Sequence, residues 1–295
     1  MRFLPIGIAV VLSVVPWPSP PARAQVDVID DANREVKLAG AARRVVSLAP
    51  SVTESLFAIG AEDAVVGVTD YCNYPPAAAR KARVGGVINP NIEAVVSLRP
   101  DLIILTMEGN MREDFQRLIA LGLQVFVTNP RSLSGIYRSI LQLGALTGKQ
   151  DSAAAVVAAM KRQEDAIRVK AVGLEPIRAL LIVSVHPLMC VGKNTFINQL
   201  VQLAGGNNLA QRASGSYPTY SREAVVADNP QVLIVMSDAG AATEELTRLF
   251  PEWSTILAVR GHCVFRIDSD LVSRPGPRAT NALESLFSLL HTPCQ

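Results

Sequence analysis

The chain has 295 residues, of which 49% are hydrophobic and 18% are charged, and its formal net charge is +2. A chain of this length exceeds the ~100 to 200 residues usual for one domain, and its apolar fraction is high enough to build a sizeable core. The composition therefore favours two globular lobes and argues against disorder. The sequence has neither a basic stripe nor a block of like charges, so it lacks the electrostatic footprint of a nucleic-acid-binding protein.

The N-terminal segment is predicted to be a signal peptide. Arg2 precedes an apolar run over residues 3–15, which is followed by a proline-rich stretch and by the triplet Ala22-Arg23-Ala24. A small-x-small triplet is typical of a cleavage site, whereas a run of ~13 apolar residues is too short for an anchor that must cross a ~30 Å hydrocarbon core. We therefore expect residues 1–24 to be removed during export and the mature protein to be a monomer in the periplasm.

The four cysteines are Cys72, Cys190, Cys263 and Cys294. None of them lies near the predicted cleavage site, so we expect that the protein is not a lipoprotein. An oxidising compartment permits up to two disulfides, and the sequence leaves the pairing open. We prefer Cys263 with Cys294, because this bond would tie the chain end to a strand. Four free thiols are the alternative.

After a predicted hairpin formed by residues 26–30 and 35–38, predicted strands alternate with predicted helices. Ser51 is followed three residues later by Glu54, and this spacing predicts a capped helix that runs to Gly60. Alternating strands and helices imply a mainly parallel sheet with both faces covered, so the predicted fold class is α/β. The predicted strands are residues 45–48, 65–69, 102–106, 125–128, 178–185, 232–236 and 264–267, and further helices are predicted at 92–97, 112–121, 196–204 and 280–290.

A long helix is predicted near the middle of the chain. Residues 153–170 contain neither Gly nor Pro. A helix of ~22 residues spans ~33 Å, which is the width of a lobe. We therefore predict a first lobe over residues 25–149, one rigid connecting helix over 150–173 and a second lobe over 174–295. A flexible hinge would show several crossovers rich in Gly, Ser or Pro, so we expect little closure when a ligand binds.

A short unit occurs twice. Glu93-Ala94-Val95-Val96 is followed by Pro100, and Glu223-Ala224-Val225-Val226 is followed at identical spacing by Pro230. Each copy predicts a short helix, a turn and a buried strand, so the repeat predicts one copy in each lobe. The two glutamates are then equivalent, and such a pair suits docking on a symmetric membrane partner with two basic pockets. The alternatives are a chance repeat and the ordinary preference of carboxylates for helix N-termini.

Several motifs carry a resemblance to a known family. The chain resembles the periplasmic binding proteins of the vitamin B12, haem and iron-siderophore class, and within this class it is most similar to the vitamin B12-binding members. The resemblance covers essentially the whole mature chain and implies two α/β lobes joined by one long helix. It also implies delivery of the ligand to the permease dimer of an ABC importer, with docking through Glu93 and Glu223. The motifs are residues 44–54, Tyr71-Cys72-Asn73-Tyr74-Pro75-Pro76, Ile92-Glu93, Gly192-Lys193, residues 204–208 and Tyr220-Ser221-Arg222-Glu223.

The resemblance implies a ligand cleft that contains Tyr71, Tyr217, Asp270 and Arg274. Both tyrosines stand next to turn signals, which predicts that they lie on loops where ligands usually sit. A large chelate presents an apolar ring with polar edges, so it is suited by a few flat side chains and a few fixed polar partners. The alternatives are surface rings for the tyrosines and a surface ion pair of little energetic value for Asp270 with Arg274.

The aromatic lining of the cleft departs from the family pattern. Family tryptophans fall on Val87 and Thr106, and a cleft phenylalanine falls on Val183. These departures weigh against cobalamin itself and leave a related corrinoid or another planar chelate open. Among ligands, cobalamin or a related corrinoid is the first expectation, haem the second and a ferric siderophore the third. Arg274 is the one basic residue that can be assigned to the cleft, and a siderophore often needs several.

The sequence offers little for catalysis. His186, His262 and His291 are the histidines, and none has the spacing of a two-histidine metal site. We expect a protein that is not an enzyme and has no cofactor, with any metal arriving inside the ligand. His186 is a candidate axial ligand, although a structural or exposed histidine is the alternative. An exported enzyme acting on a tetrapyrrole is the other class that stays open.

Overall fold

The computed structural model describes residues 25–236 and 242–293, and beyond the backbone nothing is described for residues 242 and 243. The predicted signal peptide and Cys294 lie outside the described residues. The strands are β1 (Val26–Ile29), β2 (Glu35–Leu38), β3 (Val45–Ser47), β4 (Val65–Val68), β5 (Ala82–Arg83), β6 (Leu102–Thr106), β7 (Val125–Thr128), β8 (Ile177–Val185), β9 (Leu188–Cys190), β10 (Gly206–Asn208), β11 (Val232–Met236) and β12 (Val264–Ile267). The helices are α1 (Pro50–Ala58), α2 (Ile92–Ser97), α3 (Arg112–Ala120), α4 (Leu133–Thr147), α5 (Gln150–Ala171), α6 (Phe196–Leu203), α7 (Arg222–Asp228), α8 (Ala242–Leu249), α9 (Leu257–Arg260), α10 (Ser269–Ser273) and α11 (Ala279–Leu290).

Each lobe is built on its own sheet. In the first lobe the strands lie in the order β5-β4-β3-β6-β7, and all of these pairs are parallel. In the second lobe β10, β8, β11 and β12 are parallel neighbours, and β9 folds back antiparallel on β8. Strands β6 and β7 are buried along their whole length, as expected where helices cover both faces of a parallel sheet. The predicted α/β fold with two lobes is confirmed.

A small antiparallel hairpin of β1 and β2 precedes the first sheet, as predicted. Its turn is fixed to the edge of that sheet. The backbone N–H of Asp31 donates to the carbonyl of Val127 at 2.9 Å, and the Asp31 carboxylate accepts from the N–H of Asn129. The hairpin therefore covers the free side of β7.

Helix α5 links the two lobes and packs on α4 and α11. One continuous apolar cluster contains Leu56 and Ile140 of the first lobe, Met160 of α5, and Leu200 and Leu286 of the second lobe. Complete burial of a Leu or Ile side chain contributes about 1.5–3 kcal/mol, so the shared cluster joins the lobes firmly. The lobes are thus held by packed side chains as well as by the connecting helix.

The predicted cap of the first helix is wrong. Helix α1 begins at Pro50, and its N-cap residue, Ala49, makes no side-chain capping bond. Proline is well suited to the first helical position, because its φ is already helical and its missing N–H would have no helical partner there. The Glu54 carboxylate is 3% exposed and bonds to arginines of the second lobe instead.

The cysteines differ in state. Cys72 and Cys190 are buried free thiols, whereas Cys263 is disulfide-bonded. The alternative of four free thiols is therefore wrong. Burial raises the pKa of the Cys190 thiol to about 12, which keeps it protonated and unreactive. The preferred pairing of Cys263 with Cys294 stays a prediction. Within the described ranges, no helix is both long and apolar enough to span a membrane.

Candidate ligand-binding cleft

The carboxyl ends of the parallel strands meet at one edge of each sheet, and these two edges face each other. Asn73, which follows β4, donates to Asp270, which follows β12, at 3.0 Å. Arg131, which follows β7, reaches the carbonyl of Asn194 in the second lobe at 3.4 Å. In open α/β sheets ligands bind outside the carboxyl ends of the strands, so the space between these edges is the candidate cleft.

One side chain ties together three loops on the first-lobe side of the cleft. The Asn110 amide donates to the carbonyls of Leu48 and Val87 at 3.0 and 2.7 Å, and its oxygen accepts from the N–H of Thr106 at 2.8 Å. These three partners belong to the ends of β3, β5 and β6. Asn110 therefore fixes the floor of the cleft, a role that its position in the sequence does not reveal.

Large apolar side chains are exposed on these loops. Tyr71, Ile88 and Met107, which follow β4, β5 and β6, are 63%, 67% and 48% exposed. Apolar side chains gathered at a strand edge suit the flat, apolar ring of a ligand. Tyr71 was predicted from the sequence, whereas Ile88 and Met107 were missed, although each directly follows a strand or its turn.

A side cavity of about 450 Å³ opens beside Met107. Leu105, Met111 and Phe115 line it together with Arg34, whose guanidinium lies 4.5 Å from the centre of the Phe115 ring. The cavity adds apolar volume next to the strand edge. Its flexible methionines can adapt to a side group of irregular shape.

On the second-lobe side, Tyr217 is held by its backbone neighbours. The N–H groups of Cys190 and Gly192 donate to the carbonyls of Pro218 and Ser216 at 3.1 and 2.8 Å. Gly192 permits this close approach, because an added Cβ would lie 2.5 Å from the carbonyl oxygen of Gly215. The segment that carries Tyr217 therefore runs alongside β9 and pairs with it through one isolated antiparallel bridge, between Met189 and Thr219.

The Tyr217 ring is 38% exposed and faces the first lobe. Burial raises the pKa of its phenol, the Glu108 carboxylate raises it further, and Arg131 partly offsets the effect. Glu108 and Arg131 belong to the first lobe and form an ion pair at 3.0 Å. Tyr217 therefore lies near these two first-lobe residues. That Tyr71 and Tyr217 line one ligand cleft stays a prediction.

Asp270 and Arg274 form part of a network of polar side chains that crosses between the lobes. Arg274 is only 8% exposed and its guanidinium contacts Asp270 at 2.5 Å, Glu54 at 2.9 Å and Asn73 at 2.7 Å. The alternative of a surface ion pair does not describe the buried Arg274, whereas the Asp270 side chain is 41% exposed. Asp270 is the more exposed member of the pair, and contact of either side chain with a ligand stays a prediction.

His186 follows β8 and is exposed, with its ring centroid 6.5 Å from that of Phe250. Its backbone N–H donates to the Ser184 hydroxyl at 3.3 Å. Among residues 25–236 and 242–293, no group of three or more His, Cys, Asp or Glu side chains is arranged to hold a metal ion. A role for His186 as an axial ligand stays a prediction.

The two copies of the repeat have the same geometry. Asn91 and Ser221 cap helices α2 and α7 by accepting the N–H groups of Ala94 and Ala224 at 2.9 and 3.0 Å. Glu93 and Glu223 are consequently the second residue of each helix, and both are exposed. The helix N-terminus and the Ser221 hydroxyl lower the pKa of Glu223.

The copies also end alike. Arg99 and Asn229, each directly before the proline of its copy, have φ angles of 47° and 42°. A left-handed residue at this point is a common way to end a helix. The sequence repeat is therefore a structural duplication, with one exposed glutamate in each lobe.

The fold and the cleft define a solute-binding protein with two lobes and one connecting helix. The profile of the family described as periplasmic binding protein matches residues 45–271, and the chain belongs to this family. The family predicted from the motifs is confirmed. It is a family of binding proteins, not of enzymes.

Two curated relatives cover most of the chain. An uncharacterised ABC transporter substrate-binding lipoprotein of Bacillus subtilis, YvrC, is 34% identical over 272 residues, which are 89% of this chain and 85% of the relative. A vitamin B12-binding protein of Salmonella typhi is 30% identical over 250 residues, which are 85% of this chain and 91% of the relative.

Two solved structures are also similar. The periplasmic vitamin B12-binding protein BtuF of Vibrio cholerae has a TM-score of 0.75 and 27% identity, covering 84% of this chain and 96% of that structure. The apo form of the periplasmic haem-binding protein RhuT of Roseiflexus sp. RS-1 has a TM-score of 0.77 and 25% identity, covering 85% and 98%.

Proposed function

We propose that this protein is the exported binding component of an ABC importer, which captures a corrinoid and delivers it to the permease. The observation that carries the proposal is that Tyr71 and Tyr217, the two tyrosines predicted to contact the ligand, are both partly exposed near the boundary between the lobes. Together with Ile88 and Met107 they offer flat and apolar surface of the kind that a large planar chelate requires. The relatives that bind vitamin B12 support the choice of a corrinoid.

Haem is the second candidate. The likeness to a haem-binding protein favours it, and His186 is exposed on the second lobe at the end of β8. The family tryptophans are replaced here by Val87, which is half-buried, and by Thr106, which is buried. Their loss affects a corrinoid and haem alike. Neither side chain replaces the stacking surface of a tryptophan, so the tyrosines, Ile88 and Met107 have to supply it.

The ligand can be identified by titrating the purified mature protein with cyanocobalamin, cobinamide, haem and a set of ferric siderophores. We expect saturable binding of a corrinoid at micromolar concentration or below, with a shifted visible spectrum and with the ligand recovered unchanged. Preferential binding of haem would replace the corrinoid by the second candidate. Chemical conversion of the ligand, or binding of none of these compounds, would contradict the proposal.

Delivery is proposed to depend on Glu93 and Glu223. Their exposed, equivalent positions fit a two-fold partner, and ion pairs at such positions give register and steering more than raw affinity. Residues 1–24 are proposed to direct export and then to be removed. Mass spectrometry of the protein from a periplasmic extract should therefore give a mature chain that begins at Gln25.

A further inference from the structure

The carboxylate of Glu54 lies buried at the boundary between the lobes and receives three hydrogen bonds from two arginines. Arg278 donates through Nε and Nη2 to the two oxygens at 2.8 and 2.7 Å, and Arg274 donates through Nη1 at 2.9 Å. The fork of Arg278 matches the carboxylate in a bidentate arrangement, which is the strongest form of this pairing. Glu54 belongs to the first lobe, whereas both arginines belong to the second lobe.

The same network reaches the loop that carries Tyr71. Arg274 donates to the side-chain oxygen of Asn73 at 2.7 Å and to the backbone carbonyl of Tyr71 at 3.3 Å. Asn73 in turn donates to Asp270 at 3.0 Å. A chain of hydrogen bonds therefore runs from the buried Glu54 through Arg274 to the Tyr71 carbonyl and to the Asn73 side chain.

Two carboxylates of the network, Glu54 and Asp270, pair with the guanidiniums of Arg274 and Arg278, and Asp268 also acts on Arg278. Hydrogen bonding to Glu54 is the main reason that the pKa of Arg278 is raised. Removing the Glu54 charge would leave Arg274 paired with Asp270 and Arg278 without its bidentate partner, a change that is costly where the guanidiniums are buried. The arginines would then have to move or take up water.

The connecting helix and the shared apolar cluster already hold the lobes together, so the network is not required for that purpose alone. Its position distinguishes it, since it bonds to the carbonyl of Tyr71 and to the side chain of Asn73 just after it. The ring of Tyr71 itself is free of these bonds and is exposed. We propose that Glu54 is a positioning residue, which holds the Tyr71 loop against the second lobe and thereby sets the geometry of the ligand cleft.

This proposal rests on the proposed function in one respect, namely that Tyr71 contacts the ligand. The first measurement therefore needs no ligand. In Glu54→Gln, we expect faster amide hydrogen exchange over residues 69–76 of the mature protein than in wild type. The matched control is Glu62→Gln, because Glu62 lies in the same lobe and is exposed. Its exchange should equal that of wild type.

The second measurement is affinity for cyanocobalamin, in a double-mutant cycle with Tyr71→Ala. Glu54→Gln should weaken binding by about tenfold, which is within the coupling observed inside one hydrogen-bond network. Combined with Tyr71→Ala it should add almost nothing to the loss caused by Tyr71→Ala alone, because Glu54 acts through that loop. A merely structural role would make the two losses multiply.

If Glu54→Gln fails to fold, Arg278→Lys gives the same test, because lysine keeps the charge but cannot form the bidentate fork. Unchanged exchange over residues 69–76 in a folded variant would overturn the proposal, and so would multiplicative losses of affinity. If wild type does not bind cyanocobalamin and exchange is nevertheless faster in the variant, the proposed function fails while the positioning role of Glu54 stands.

Discussion

The two lobes hold their cleft tyrosines by different means. The loop of Tyr71 is held by Arg274 of the other lobe, which also bonds to the buried Glu54, and by Arg83 of its own lobe, which donates to the carbonyls of Thr69 and Cys72. The segment of Tyr217 is fixed by backbone hydrogen bonds to β9 within its own lobe, at Cys190 and Gly192. The loop of Tyr71 therefore takes part of its support from the other lobe, whereas the hydrogen bonds that hold the segment of Tyr217 lie within a single lobe.

The two lobes are similar on their outer surfaces but differ on the surfaces that face the cleft. Helices α2 and α7 are alike in cap, exposed glutamate and final turn, so the outer surfaces of the lobes keep the symmetry of the repeat. The cleft surfaces do not keep it. A symmetric outer surface suits a symmetric partner, while an asymmetric cleft suits a ligand that has no symmetry.

The largest effect is expected where the lobes are alike. Replacing Glu93 and Glu223 together by Arg should abolish uptake of the ligand by cells, because both acidic contacts would become repulsive toward basic pockets. Ligand affinity of the purified protein should stay unchanged, because both glutamates lie on exposed helix starts outside the cleft. Glu62→Arg provides a control for a charge change at another exposed site. Normal uptake by the double variant would refute docking through the repeat.

The next effect separates the two walls. Tyr71→Ala and Tyr217→Ala should each weaken ligand binding by about 1–3 kcal/mol if the ring is buried against the ligand. Combining Tyr217→Ala with Glu54→Gln should give additive losses within about 0.5 kcal/mol, because Tyr217 shares no hydrogen bond with the Glu54 network. Calorimetric titration measures both quantities. An unchanged affinity in either alanine variant would place the ligand elsewhere.

Some of these structural features can be predicted from the sequence and others cannot. Long apolar runs bounded by polar turns predicted the bounds of β6, β7, β11 and β12 as the structure has them, because fully buried strands leave a local signal. Helix α4 was not predicted. Glu54 was assigned to a helix cap, since its true partners stand 220 and 224 residues further along the chain. No local pattern reveals such a pairing.

The cleft shows the same division. Tyr71 and Tyr217 were predicted through family motifs and adjacent turns, whereas Asn110 owes its role to three carbonyls that only the folded chain brings together. Gly192 belonged to a recognised motif, but its sequence gives no reason for a glycine there. That reason is the carbonyl of Gly215, which lies on a neighbouring segment.

Gly192→Ala tests the wall of the second lobe. The new Cβ would lie 2.5 Å from the Gly215 carbonyl oxygen and 2.7 Å from the Pro218 ring, and both are parts of the chain that cannot swing aside. We expect a loss of about 1–3 kcal/mol in the free energy of unfolding, as for other overpacked sites, together with weaker ligand binding. Hydrogen exchange over residues 69–76 should stay at the wild-type rate. Faster exchange there would mean that the two walls are coupled.

The smallest effect concerns the proton of Tyr217. Burial, followed by the nearby Glu108 carboxylate, raises the pKa of this phenol above its ordinary value of 10.0. The folded protein thus keeps the proton at pH values where the unfolded chain has lost it, so this contribution to stability is complete below pH 10 and decreases as the pH rises through the folded-state pKa. Relative to Tyr217→Phe, wild type should therefore lose stability above pH 10, as measured by denaturant unfolding across the alkaline range.

A bound ligand should raise the pKa of Tyr217 further, because it covers the ring, and phenolate absorbance of wild type minus Tyr217→Phe reports the shift. A pKa that stays the same when ligand is added would show that the ligand leaves Tyr217 exposed, and the second-lobe wall would then have to be assigned to other side chains.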